Sequence, residues 1–190
     1  IDRSRGLGDV YKRQTLDYPD AQAWSNAWMA RTYMAMDDRV RASNTLIKAA
    51  QTNRVEDSEV MVYVHEVYAA FHLKHGEIEA AIEQLEKALR YVEKRKNHAR
   101  MIFILAQCYE EAGQSEKAIE RYNEVVRLRT PYELEFYAKI KQAMAFDRLE
   151  MDSDPIVELL EDMLEDDKND IYQDQILSLI HISEPTRPID

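Results

Sequence analysis

Phe103-Ile104-Leu105-Ala106-Gln107-Cys108-Tyr109-Glu110-Glu111-Ala112-Gly113, followed by Ser115-Glu116-Lys117-Ala118-Ile119-Glu120-Arg121-Tyr122, decides the fold of this chain. Apolar residues recur at three-and-four spacing on both sides of the glycine, the pattern of two amphipathic helices. Gly113 supplies the left-handed backbone that ends a helix sharply. Ala106 and Ala118 are small, so the paired helices can approach closely. The stretch reads as a helix hairpin.

The same register extends outward from that glycine. Ala69 and Ala106 fall seven residues before Gly76 and Gly113, and Ala81 and Ala118 five after. Leu85 and Tyr122 fall nine after, and Ala88 and Val125 twelve after. Asp37 takes the same place, with Ala30, Tyr33, Ala42, Leu46 and Ala49. A weaker copy centres on Glu150, with Ala143 and Phe146 before it. Successive anchors are 39, 37 and 37 residues apart. This resembles the tetratricopeptide unit of roughly 34 residues, slightly lengthened.

The pattern predicts an all-α chain, a right-handed superhelix of stacked antiparallel helix pairs with about four repeats. Helices are expected over 20–36, 38–52, 57–75, 77–95, 97–112, 115–129, 132–149, 155–166 and 169–176. Thr130-Pro131-Tyr132-Glu133 reads as an N-cap, a proline at the first helical position and a capping-box glutamate. Asp154-Pro155 and Ser115-Glu116 read as similar helix starts.

The two ends carry inverted copies of one DNA word. Asp9 to Gln14 can be written GAT GTG TAT AAG AGA CAG, and Leu177 to Ile182 can be written as its reverse complement. The complementarity continues outward through Ser4 to Gly8 and Ser183 to Arg187. Residues 1–14 and 177–190 are therefore expected to be translated transposase-type sequencing adapter and not native. That leaves 15–176 as the tetratricopeptide-like helical repeat fragment.

Asp and Glu number 36 against 25 Lys and Arg, a net charge of −11. That sign disfavours nucleic acid, whose affinity comes mostly from basic neutralisation, and an anionic membrane surface. No apolar run approaches the roughly 20 residues of a membrane span, so direct membrane insertion is not expected. Cys108 is the sole cysteine and sits on an apolar helix face, which suits a buried structural thiol better than a nucleophile.

Chemistry-bearing constellations are sparse. His65, His72 and His75 recur at seven and three, and three imidazoles on one helix face could ligate zinc. Two of them occupy repeat positions that face the partner helix, so packing and helix-end contacts are the expected roles, with no metal. The acidic run from Glu158 to Asp167 alternates with apolar residues as an amphipathic helix does, without the glycine-containing loop of a calcium site. There is no phosphate-cradling glycine loop, nucleophile elbow or zinc-protease histidine pair. No catalytic residue and no cofactor is expected.

The groove remains. First helices of stacked pairs line the concave side, the usual binding face. The residues expected there are Trp24, Ala27, Arg31 and Met34, then Tyr63, Glu66, Ala70 and Leu73. Phe103, Gln107 and Glu110 follow in the third unit, and Tyr137, Ile140, Met144 and Asp147 in the fourth. Aromatics at matching positions could anchor a protein partner or pack between units, and the sequence leaves both open.

A narrower likeness runs through Ile104-Leu105-Ala106-Gln107, Lys117-Ala118-Ile119, Tyr122 and Thr130-Pro131-Tyr132-Glu133-Leu134-Glu135-Phe136-Tyr137-Ala138. Ala27-Trp28-Met29-Ala30-Arg31-Thr32-Tyr33 and Tyr172-Gln173-Asp174-Gln175-Ile176 share it. Together they resemble the large periplasmic tetratricopeptide lipoprotein of the type IX secretion and gliding machinery (the PorW/SprE family). The resemblance implies an outer-membrane-tethered periplasmic scaffold, binding secretion-machinery components and lacking catalytic residues. Two other readings stand beside it: a generic cytoplasmic tetratricopeptide adaptor, and a helical metal-dependent enzyme fragment that would need the histidine face to bind metal.

Overall fold

The computed structural model describes residues 18–92, 98–128, 130–147 and 154–183. Among them there is no strand, as the three-and-four spacing requires. The helices fall into two compact units, divided between Lys96 and Asn97. The first holds α1 (Pro19–Ala35), α2 (Arg39–Ala50), α3 (Ser58–Lys74) and α4 (Ile78–Tyr91). The second holds α5 (Ala99–Glu111), α6 (Ser115–Arg127), α7 (Tyr132–Asp147), α8 (Asp154–Glu165) and α9 (Gln173–Ser183), with a 3-10 turn over Asp167–Tyr172.

Three turns are built alike. Asp37, Gly76 and Gly113 have φ of 62°, 70° and 72°, the left-handed region. The amide of each next residue donates back to a carbonyl five residues earlier: Asp38 to Tyr33, Glu77 to His72, Gln114 to Tyr109. Each left-handed residue itself donates to the carbonyl three earlier, completing a Schellman cap. The residue after it is already the N-cap of the following helix, so only a C-cap, the left-handed residue and an N-cap stand between the two helices. This tightness holds each pair antiparallel. A Cβ built on either glycine meets nothing within 4 Å, so only the backbone conformation restricts these positions.

The alanine register is where the sequence put it. Ala42, Ala81 and Ala118 are wholly buried, as are Ala49 and Ala88, while Leu46, Leu85 and Tyr122 fill the matching large positions. In the first unit Ala23, Ala27 and Ala30 of α1 meet Ala42, Leu46 and Ala49 of α2 and Val60, Val64, Val67 and Phe71 of α3. α1 and α3 run parallel and are tied at both ends. Asp20 Oδ1 accepts from the amides of Glu56 and Asp57 at 2.9 and 3.1 Å, and Lys74 Nζ donates to the Met34 carbonyl at 2.6 Å. The lysine thereby satisfies a carbonyl at the negative end of α1.

In the second unit α5 pairs with α6, and α7 packs on α6. The fourth copy departs from the expected register. Its anchor Glu150 lies outside the described residues, but the buried positions of α8 are Ile156, Leu160 and Met163, each one residue later than the period predicts. The strict register would have put Asp162 inside, and a lone carboxylate is costly to bury, so the helix presents its apolar neighbours instead. α7, α8 and α9 close around Phe136, Ile140, Ala143, Ile156, Leu160, Met163 and Ile176. The last helix, expected over 169–176, is a 3-10 turn and then α9, which runs on to Ser183. Leu179 and Ile180 lie against that core. The expected Thr130 cap is also displaced. α7 starts at Tyr132, and the Pro131 carbonyl accepts from Leu134 and Glu135 at 3.0 and 3.2 Å.

Candidate functional site

The candidate site is the outer seam between α1 and α3. Because the helices are parallel and held at both ends, residues at matching turns face one another across it. Trp24 stacks on Tyr63 with ring centroids 4.5 Å apart and planes 28° from parallel, and Trp28 lies tilted against the same ring at 5.7 Å. Arg31 Nη1 donates to Tyr63 Oη at 3.0 Å, while its guanidinium carbon sits 4.9 Å from the centre of the Trp28 ring. Such aromatic pairs contribute about 0.5–1.5 kcal/mol beyond burial, and an exposed cation–π contact about 0.5–1 kcal/mol. The cluster remains open to solvent, with Trp24 40 % and Trp28 48 % exposed. Below Arg31 the seam widens into a cleft of about 280 Å3 lined by Arg31, Met34, Tyr63, Glu66, Val67 and Ala70.

Trp24, Arg31, Met34, Tyr63 and Glu66 lie along this seam and its cleft, and Leu73 lies half-buried a turn beyond Ala70. Ala27 belongs to the core, and Trp28 takes the outward place beside it. Sequence reasoning missed Trp28. Its signal was an aromatic three residues before an arginine, on the helix edge next to the chosen stripe.

In the second unit the expected row is less open. Phe103 is half-buried and meets Tyr122 edge-on at 5.5 Å. Gln107 is exposed, and Tyr137 is 45 % exposed with its ring edge-on to Phe136. Ile140 is buried, and Met144 packs on the core of the unit. The Glu110 carboxylate is only 8 % exposed. It accepts from Tyr122 Oη at 2.9 Å and lies 3.6 Å from Lys141 Nζ, so it links α6 to α7. The side chain of Asp147 lies outside the described residues.

The three histidines part company. His65 is buried, its Nδ1 2.9 Å from Gln84 Oε1 and its ring stacked on Tyr91. Burial lowers its pKa below the ordinary histidine value. His72 Nδ1 lies 2.6 Å from Glu77 Oε2, and that contact, with Arg39 adding to it, holds the Glu77 carboxyl below its usual range. His75 follows the end of α3, against Phe71 at 4.7 Å. Among the described residues no group of three His, Cys, Asp or Glu comes together that could hold a metal ion. Cys108 is buried, which pushes its thiol up to about 11 and leaves it unreactive near neutrality. No described helix is long and apolar enough to cross a membrane.

Comparison with known proteins agrees with this architecture. Residues 59–130 match the tetratricopeptide repeat family model, so that stretch carries tetratricopeptide repeats. Among solved structures it is similar to MamA, at 19 % identity and a TM-score of 0.57 over 90 % of each chain. It is similar to PilF of Pseudomonas aeruginosa at 16 % identity and a TM-score of 0.55, covering 89 % of this chain and 79 % of that one. The third is YrrB, described as a TPR protein with an unusual peptide-binding site, at 14 % identity and a TM-score of 0.58, over 83 % and 82 % of the two chains. At such identities the likeness establishes the fold alone. No curated protein sequence matches the chain.

Proposed function

We propose that this chain is a non-enzymatic scaffold that binds other proteins through the α1–α3 seam, gripping an extended segment of its partner. The observation that carries the proposal is the open aromatic–arginine cluster of Trp24, Trp28, Arg31 and Tyr63 beside an apolar-floored cleft. Tryptophan, tyrosine and arginine contribute most to interface energy, and here they are ordered before a partner arrives, which lowers the entropic cost of binding. The peptide-binding site named for YrrB, a protein of similar fold, supports the same reading. The test is capture of partners from a cell-envelope extract by the whole chain and by a folded Trp28→Ala, Tyr63→Ala variant. Any partner found is purified and its binding repeated. Equal binding by both proteins overturns the seam as the site.

The narrower assignment rests on sequence resemblance. The runs around Ala106 and Thr130 support a periplasmic, outer-membrane-tethered scaffold of the type IX secretion machinery, its partners being components of that machinery. A lipid-attachment cysteine encoded upstream in the intact gene would support it. A gene that opens directly into the repeats, without an export signal, would favour the cytoplasmic adaptor. The reading of 1–14 and 177–190 as adapter rests on their codon complementarity, and resequencing the locus across both junctions tests it.

A further inference from the structure

We infer that the α1–α3 cleft selects an acidic, extended segment, one that sets an aspartate or glutamate side chain on Arg31 and an apolar side chain against Met34, Val67 and Ala70. The inference rests on the peptide-binding reading of that cleft. Arg31 is the only cation among the residues lining it. One of its five N–H donors is used by Tyr63, and its guanidinium carbon lies 4.9 Å from the centre of the Trp28 ring. The group is therefore held by two contacts before binding, and a guanidinium fork matches the two oxygens of a carboxylate. Glu66 stands on the facing wall but has a partner of its own.

The chain as a whole is acidic, at net −11, and its long-range field repels such a segment. Beyond about 8–10 Å that field is screened at physiological salt, so short-range contact decides the selection. The apolar floor adds the second requirement. Met34 is half-buried, Val67 is 4 % exposed and Ala70 leaves room above it, which suits a leucine, isoleucine, valine or methionine. A free chain end would call for donors on every side of its carboxylate, and besides Arg31 the lining offers only the Tyr63 hydroxyl, which accepts from Arg31 and can donate its own proton. The carboxylate therefore comes from a side chain.

The test is an array of random ten-residue peptides probed with the whole chain and with three variants, each checked for native helicity. Expected among the binders is enrichment of Asp or Glu within about two positions of an aliphatic residue, and loss of that enrichment with Arg31→Gln. Both tryptophans of the chain stand at this seam, so their emission reports occupancy. Followed that way, the strongest peptide is expected to bind about tenfold more weakly when its acid is replaced by the amide. Tyr63→Phe removes the same interhelix hydrogen bond but keeps the guanidinium, so it is expected to keep the acidic preference. Loss of the preference there too would make Arg31 a structural staple and overturn the inference. Binders without acidic enrichment also overturn it, while leaving the seam as a peptide site. Binding unchanged in the Trp28→Ala, Tyr63→Ala variant, or an array with no binders, overturns the seam itself.

Discussion

Trp24 and Tyr63, 39 residues apart in the chain, stack at 4.5 Å across α1 and α3. They hold equivalent places in successive repeats, so one contact joins neighbouring units and presents an aromatic surface to solvent. The residues proposed to bind a partner are here also the ones that pack between repeats. Tyr63→Ala is therefore expected to weaken partner binding by more than about 1 kcal/mol, the scale of an interface hot spot. Reversing the exposed charges of Glu83 and Glu120 is expected to change affinity little, as solvent charges do. Isothermal titration against a purified partner compares the three.

Ala106 is wholly buried, whereas Gln107 beside it is exposed. Ala106→Leu is expected to destabilise by about 1–3 kcal/mol through overpacking, and Gln107→Leu to be near neutral. Urea unfolding followed by circular dichroism measures both. A neutral Ala106→Leu would show that the helices do not meet at this alanine.

The three left-handed turns make opposite predictions for the two residue types in them. Gly113→Ala meets no atom within 4 Å, so its cost is backbone strain alone, about 1–2 kcal/mol. Asp37→Gly relieves the same strain and is expected to stabilise by up to about 1 kcal/mol. Its ion pair with Lys74, at 2.6 Å between exposed groups, subtracts little. Melting curves of the two variants should move in opposite directions.

Stability is expected to fall on mild acidification, and His65 gives the sign. Burial depresses its folded pKa below the ordinary value of 6.5, opposed in part by the bond to Gln84. The unfolded chain thus takes up the proton first. The histidine's contribution is complete above about pH 6.5 and is lost as pH falls toward the folded value. His65→Gln should flatten the pH dependence of the melting temperature between pH 7 and 5. An unchanged slope would assign the effect to other groups.

The repeat period, the three tight turns and the alanine seams were legible in the sequence because each is a local matter. A left-handed cap is decided by the residue that must adopt it, and a close helix approach by the size of the side chain at the contact. The helix faces were not legible to the same degree. Successive residues lie about 100° apart around an α-helix, so a small rotation exchanges neighbours across the edge of a stripe. Packing of α1 on α3 set that rotation, turning Ala27 inward and Trp28 outward. In the second unit, Tyr122 and Lys141 drew the Glu110 carboxylate into an interhelix contact. The one-residue slip of α8 has the same origin: apolar burial against α7 and α9 outweighed continuity of the period. Sequence periodicity thus determined which residues pair into hairpins. Tertiary packing decided which of their edges are left for a partner, because exposure depends on every helix that touches a face and not only on the one that carries it.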